Sequence, residues 1–100
     1  MIFLYLTNPD KKTAEKIGLF LLKKKLVGCV NIFPITSLYW WQGKIEKTKE
    51  WVLIAKTLAK NYQKIKQEIK SLHPYTVPCL LCFKVNPNQE YLQWLKKEVS

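Results

Sequence analysis

Ser37-Leu38-Tyr39-Trp40-Trp41-Gln42-Gly43-Lys44-Ile45, running on to Trp51-Val52-Leu53-Ile54-Ala55, is the stretch whose reading decides the fold. Aromatic and β-branched runs flank Gln42-Gly43, so Thr36 to Thr57 is predicted to form one long β-hairpin with its turn near Gly43. At about 3.3 Å per residue along each strand, a hairpin of about twenty residues reaches beyond the body of a small domain. Side chains alternate along a strand, which puts Tyr39 and Trp41 on one face and Leu38 and Trp40 on the other. A helix layer covers one such set and not both. The hairpin therefore implies a partner, and the simplest partner is another copy of the chain.

The segments on either side complete the pattern. Ile2 to Leu6 is a short apolar strand, and Thr7-Asn8-Pro9-Asp10 supplies an N-cap with Pro at the first helical position. From Asp10 to Lys25 the residues Ala14, Ile17, Gly18, Leu21 and Leu22 recur at helical spacing, with lysines on the wet face. Gly28 opens a second strand, Cys29-Val30-Asn31-Ile32-Phe33, which Pro34 marks as an edge. Tyr62, Ile65, Ile69 and Leu72 give a second helical stripe, which Pro74 stops by biasing His73 away from helical angles. Val77 to Val85 is predicted as the fourth strand. Asn86 then caps a last helix, with Pro87 at its first position and Gln89 at its third, carrying Tyr91, Leu92, Leu95 and Val99. The order βαββαβ with an added C-terminal helix is that of an α+β, ferredoxin-like sandwich, one domain over residues 1–100, with helices on one face of an antiparallel sheet. In that fold the strands lie in the order 4-1-3-2, and the bare face of the sheet again requires self-assembly.

Composition limits what this domain does. The chain has 100 residues, 48% hydrophobic and 24% charged, enough for one core and not for two. Its net charge of +10 invites a nucleic-acid reading. The basic residues are all lysine, however, so the planar fork that grips phosphate and reads guanine is missing, and they lie in scattered groups on predicted helix surfaces. The third strand also lacks the stacking aromatics of an RNA-recognition module. A solvated surface is the better account, and nucleic acid is not an expected partner. The opening Met1 to Leu6 lacks the features of a signal peptide, no run is long enough to span a bilayer, and three cysteines give no even disulfide framework. A cytoplasmic protein with reduced thiols is expected, with no membrane association.

Candidate chemistry is sparse. Cys79-Leu80-Leu81-Cys82 has the spacing of a metal knuckle, but inside a strand residues three apart point to opposite faces, so both are expected to be buried thiols. Cys29 and Cys79 fall on opposite edge strands and meet only across a subunit interface, where a thiolate and an imidazole suit Cu(I) or Zn(II). His73 is the only histidine, and Pro74 and Pro78 hold Tyr75 in a rigid approach to the last strand. Glu46 and Glu50 lie among lysines and read as solvated cross-strand partners. With one histidine, unconnected serines and three scattered glycines, no nucleophile–base set and no phosphate-cradling loop can be assembled, so the protein is not expected to be an enzyme.

Leu26-Val27-Gly28-Cys29-Val30-Asn31-Ile32, Ser37 to Ile45, Lys56-Thr57, His73-Pro74-Tyr75-Thr76-Val77-Pro78 and Tyr91-Leu92-Gln93-Trp94-Leu95 occur in an order that resembles CutA, the divalent-cation tolerance proteins, over nearly the whole chain. The resemblance implies a ferredoxin-like protomer in a homotrimer, with long hairpins packed between subunits. It also implies an inter-subunit cleft near Tyr39, Trp41, Lys56, His73 and Tyr75, and a role in tolerance of copper or other divalent metals. Copper or zinc held by His73, with Cys79 or Cys29 from a neighbouring chain, is the expected metal contact, and no organic cofactor is implied. Cys79 stands where CutA-like proteins usually carry Glu. Leu6 and Leu72 stand where some relatives carry further ligands. The alternative reading is a trimeric PII-like signalling module that takes a small anion or a protein in the same cleft through Lys56, Tyr39 and Trp41.

Overall fold

The computed structural model describes residues 1–100. Strands β1 (Ile2–Asn8), β2 (Cys29–Trp41), β3 (Lys44–Thr57) and β4 (Leu80–Lys84) form one antiparallel sheet in the order β2-β3-β1-β4. Helices α1 (Lys11–Lys23) and α2 (Tyr62–Leu72) follow β1 and β3, and α3 (Gln89–Glu98) closes the chain. The fold is the α+β ferredoxin-like sandwich that the periodicities predict, with the long hairpin formed by β2 and β3. Gln42 and Gly43 turn it with φ of 49° and 78°, the paired positive values that join twisted strands through two residues.

The register assigns every side chain to a face. Leu6 lies opposite Leu53, Leu4 opposite Ala55 and Ile2 opposite Thr57. Ile2, Leu4, Leu6, Leu53 and Ala55 meet Ile17 and Leu21 of α1 and Ile65 and Ile69 of α2 in one buried cluster. On the reverse face Phe3 stacks on Phe83 with ring centroids 4.8 Å apart, and Phe33, Tyr39, Trp41 and Leu81 stay exposed. Helices α1 and α2 leave that face bare, and only its end at Cys29 and Lys56 is met by a helix, through Tyr91 of α3.

Three local predictions are corrected. Helix α1 is capped by Asp10, whose carboxylate accepts the Thr13 N–H at 2.7 Å, so Pro9 lies outside the helix and not at its first position. Asn8 is instead the buried end of β1, its amide donating to the carbonyls of Leu6 and Trp51. Helix α3 starts one turn-half later than expected, with Asn88 and not Asn86 as its cap residue. Strand β4 begins at Leu80, because Pro78 has no N–H for a ladder and Val77 is turned out to solvent.

The link from α1 to β2 is held by side chains. Lys25 takes the left-handed conformation with φ 57°, its N–H reaching Leu22 O and the Leu26 N–H reaching Leu21 O, which ends α1 in a Schellman motif. The buried Leu26 carbonyl then accepts from Thr57 Oγ1 and from Asn61 Nδ2, the latter at 3.2 Å. Each donor backs up the other. Thr57→Val and Asn61→Ala are each expected to cost about 1 kcal/mol, and the double variant about 1–2 kcal/mol more than their sum, because only then is a buried carbonyl left unpartnered. Urea unfolding of the four proteins measures this, and simple additivity would remove the shared-acceptor account.

Candidate functional site

Pro74 forces His73 out of the helix into an extended conformation (φ −76°, ψ 136°), while the His73 N–H still closes the last turn on Ile69 O at 2.9 Å. That geometry swings the ring under the end of β1. Nε2 lies 2.8 Å from the carbonyl oxygen of Thr7, which only accepts, so Nε2 carries the proton. Nδ1 is then the bare nitrogen, and it accepts the Tyr75 N–H at 3.1 Å. The residue is 8% exposed, and burial holds the imidazole pKa below its ordinary value against the opposing pull of the Thr7 carbonyl and of Glu50. His73 is thus a neutral latch with both nitrogens engaged.

The latch positions Tyr75, whose ring meets the imidazole edge-on at 4.8 Å between centroids. Its hydroxyl donates to Glu50 Oε2 at 2.7 Å, and burial together with that carboxylate pushes the phenol pKa far up. Glu50 is 7% exposed and not a solvated cross-strand partner; Glu46, opposite Tyr39, keeps more contact with solvent. Between the hairpin and residues 74–79 lies a concavity of about 930 Å³, lined among others by Tyr39, Trp41, Glu50, Tyr75 and Cys79.

Lys56 and Cys29 lie elsewhere in the protomer. They face each other across β2 and β3, six residues along β3 from Glu50, which is about 20 Å at strand rise. The Lys56 ammonium sits 5.7 Å from the centre of the Tyr91 ring. Burial and the neighbouring Cys29 thiol raise the Tyr91 pKa, and its buried hydroxyl has no hydrogen-bond partner. Four of the predicted residues (Tyr39, Trp41, Tyr75, Cys79) are therefore gathered in one chain. His73 stands behind Tyr75, and Cys29 and Lys56 occupy the far end of the sheet. Cys79 and Cys82 are exposed, which corrects their reading as buried thiols: Cys79 precedes β4 at the rim of the concavity, and Cys82 lies on β4, an edge strand.

Glu50 is the site residue that sequence reasoning passed over. Its face was legible: a turn at Gln42-Gly43 sets Trp41 opposite Lys44 and hence Ile35 opposite Glu50, on the side of Tyr39 and Trp41. Its burial was not, because the covering group, Tyr75, arrives from a loop twenty-five residues away.

As a resident metal site the arrangement does not fit. Both nitrogens of His73 are hydrogen-bonded, and no three His, Cys, Asp or Glu side chains converge anywhere in the chain. No helix is long and apolar enough to cross a membrane.

Comparison with known proteins returns one family. The family described as CutA1 divalent ion tolerance protein matches residues 2–98. The divalent-cation tolerance protein CutA of Archaeoglobus fulgidus is 42% identical over 98% of this chain and 97% of its own length. The crystal structure of CutA1 from Pyrococcus horikoshii superposes with a TM-score of 0.97 at 42% identity, covering 100% of this chain and 99% of that one. A PII-like protein CutA from Nostoc superposes with a TM-score of 0.93 at 29% identity, over 100% and 98% of the two chains.

The His73 latch has a signed pH dependence. Its folded pKa lies below the ordinary 6.5, so between those values the unfolded chain binds the proton and the folded chain does not. The latch's contribution is complete above pH 6.5 and is lost as pH falls from there toward the folded value. The urea midpoint is expected to drop between pH 7.5 and pH 5.5 in the native protein and to drop less in His73→Gln, whose amide keeps a donor for the Thr7 carbonyl. Equal drops would refute it.

Proposed function

The chain belongs to the CutA1 divalent ion tolerance protein family, and from that premise we propose that it works as a homotrimer, a binding protein and not an enzyme, which contributes to divalent metal tolerance through clefts built between subunits by its hairpins. The observation that carries this reading is the uncovered hairpin. Leu38, Trp40 and Ile45 are 69%, 73% and 66% exposed, with Trp40 directly opposite Ile45, while Tyr39 and Trp41 stand open on the reverse face. Covering a large apolar side chain is worth about 1.5–3 kcal/mol, so leaving both faces wet is a strong drive to associate.

Copper or zinc then meets the protein as cargo, through thiols. Withdrawing His73 from Thr7 and Tyr75 would leave a buried carbonyl without its donor. Cys79 is exposed at the concavity and Cys29 half-buried at the opposite edge, so a neighbouring subunit is needed to bring the two together. A Cys79 thiolate favours soft Cu(I) and Zn(II) over harder ions. The three unpaired thiols suit a reducing compartment, and we place the protein in the cytoplasm. One relative from Archaeoglobus fulgidus is described as periplasmic, and fractionation against compartment markers distinguishes the two. A PII-like signalling role for the same clefts is favoured by the close superposition on the Nostoc protein.

Light scattering on a size-exclusion column is expected to give three chain masses, and Trp40→Glu combined with Ile45→Lys to give one. A monomeric native protein would overturn the reading. Calorimetric titration with Cu(I) and Zn(II) is expected to weaken in Cys79→Ser and Cys29→Ser and to persist in His73→Gln, and the reverse pattern returns the ligand role to His73.

A further inference from the structure

Glu50 is 7% exposed as a residue in a protein of net charge +10, yet no cation is set against its carboxylate. The chain's one ion pair joins Lys64 to Glu68 on the surface of α2. Oε2 of Glu50 accepts the Tyr75 hydroxyl, and Oε1 has no hydrogen-bond partner in the protein. Oε1 is not sealed from solvent, so its acceptor positions are open to water or to a guest in the concavity. Among the residues lining the concavity of about 930 Å³, Glu50 is the only charged one, and Tyr39, Trp41 and Tyr75 stand with it.

We propose that this concavity recognises a small organic ammonium ion, with Glu50 as its counter-charge and the rings of Tyr39, Trp41 and Tyr75 as its walls. The electron-rich faces of tyrosine and tryptophan attract a cation, and they suit an ammonium that carries carbon better than a strongly hydrated inorganic ion. A hard divalent metal asks for more oxygen ligands than one carboxylate with one oxygen already engaged can offer. An anion meets a buried negative charge with no lysine beside it. A purely apolar guest leaves the Oε1 lone pairs unanswered. The concavity's volume admits a metabolite-sized amine rather than a lone ammonium. The inference deepens the proposed function by giving the ligand class of the same face, but all the residues it uses belong to one chain.

Choline and its uncharged isostere 3,3-dimethylbutan-1-ol are the probes, titrated into the intact protein at constant ionic strength by calorimetry and by the tryptophan indole N–H resonances. Choline is expected to bind saturably and at least about tenfold more tightly than the alcohol. Glu50→Gln, which keeps an acceptor for Tyr75 and removes the charge, is expected to weaken choline by about tenfold with the melting transition and the column elution unchanged. Equal affinity for choline and the alcohol overturns the proposal, and that comparison needs no variant. So does a Glu50→Gln protein that binds choline as well as the native one. A Glu50→Gln protein that changes its oligomeric state while the native protein ignores choline also overturns it, by showing that a second copy of the chain occupies the site. A native monomer that still prefers choline to the alcohol would sink the trimer reading and leave this one standing.

Discussion

The pairing of β2 with β3 is the constraint on which the rest of the molecule depends. Every residue from Cys29 to Trp41 has a partner between Lys44 and Thr57, and the two-residue turn at Gln42-Gly43 fixes which partner. A slip of one residue would exchange the two faces of the hairpin along its whole length. In the observed register Leu53 and Ala55 join the helix-covered core, while Val52, Ile54 and Lys56 fall on the bare face. The same register carries Glu50 to the side of Tyr39 and Trp41. Core, open face and concavity are thus three results of one turn.

A second constraint acts on the bare face. The segment after α2 has no ladder hydrogen bonds until Leu80, and it is held by side chains. His73 ties β1 to Tyr75 through its two nitrogens, and Tyr75 ties the segment to Glu50 on β3. The chain thereby crosses from the helix layer to the bare face without regular structure, which two prolines make affordable by leaving fewer conformations to lose. The same hydrogen bonds that shape the concavity occupy the histidine, so in this protein the residue that builds the site is withdrawn from chemistry within it.

The fold was legible because its signals are local and periodic. Ala14, Ile17 and Leu21 mark the buried stripe of α1, and the alternation through Tyr39 and Trp41 marks the hairpin. The misread helix starts, Pro9 at α1 and Asn86 at α3, share one cause. A proline beside an Asn or Asp is compatible with several capping registers, and tertiary fit selects among them: Asn8 is drawn into the sheet by the carbonyls of Leu6 and Trp51, which leaves Asp10 to cap α1. The site was legible only in part. Tyr39, Trp41 and Tyr75 announce themselves as aromatic residues beside a turn and a proline pair. Glu50 does not, because among Lys47, Lys49 and Glu46 it looks like any solvated strand residue until Tyr75 covers it. The state of His73 was likewise hidden, since it depends on a carbonyl sixty-six residues away.

The sheet's bare face and its buried carboxylate bear on each other. Covering the hairpin aromatics with neighbouring subunits removes water from the face, and a lower local dielectric makes an unanswered Glu50 charge more costly, not less. Assembly alone therefore deepens the problem that Glu50 presents. It is relieved by a cation from a neighbour or by a cationic guest, and only the latter gives the aromatic walls a recognition role. The exposed hairpin residues Leu38, Trp40 and Ile45 are the ground for proposing association. The chemistry of the proposed guest follows from a single side chain whose charge the chain leaves without an ion-pair partner.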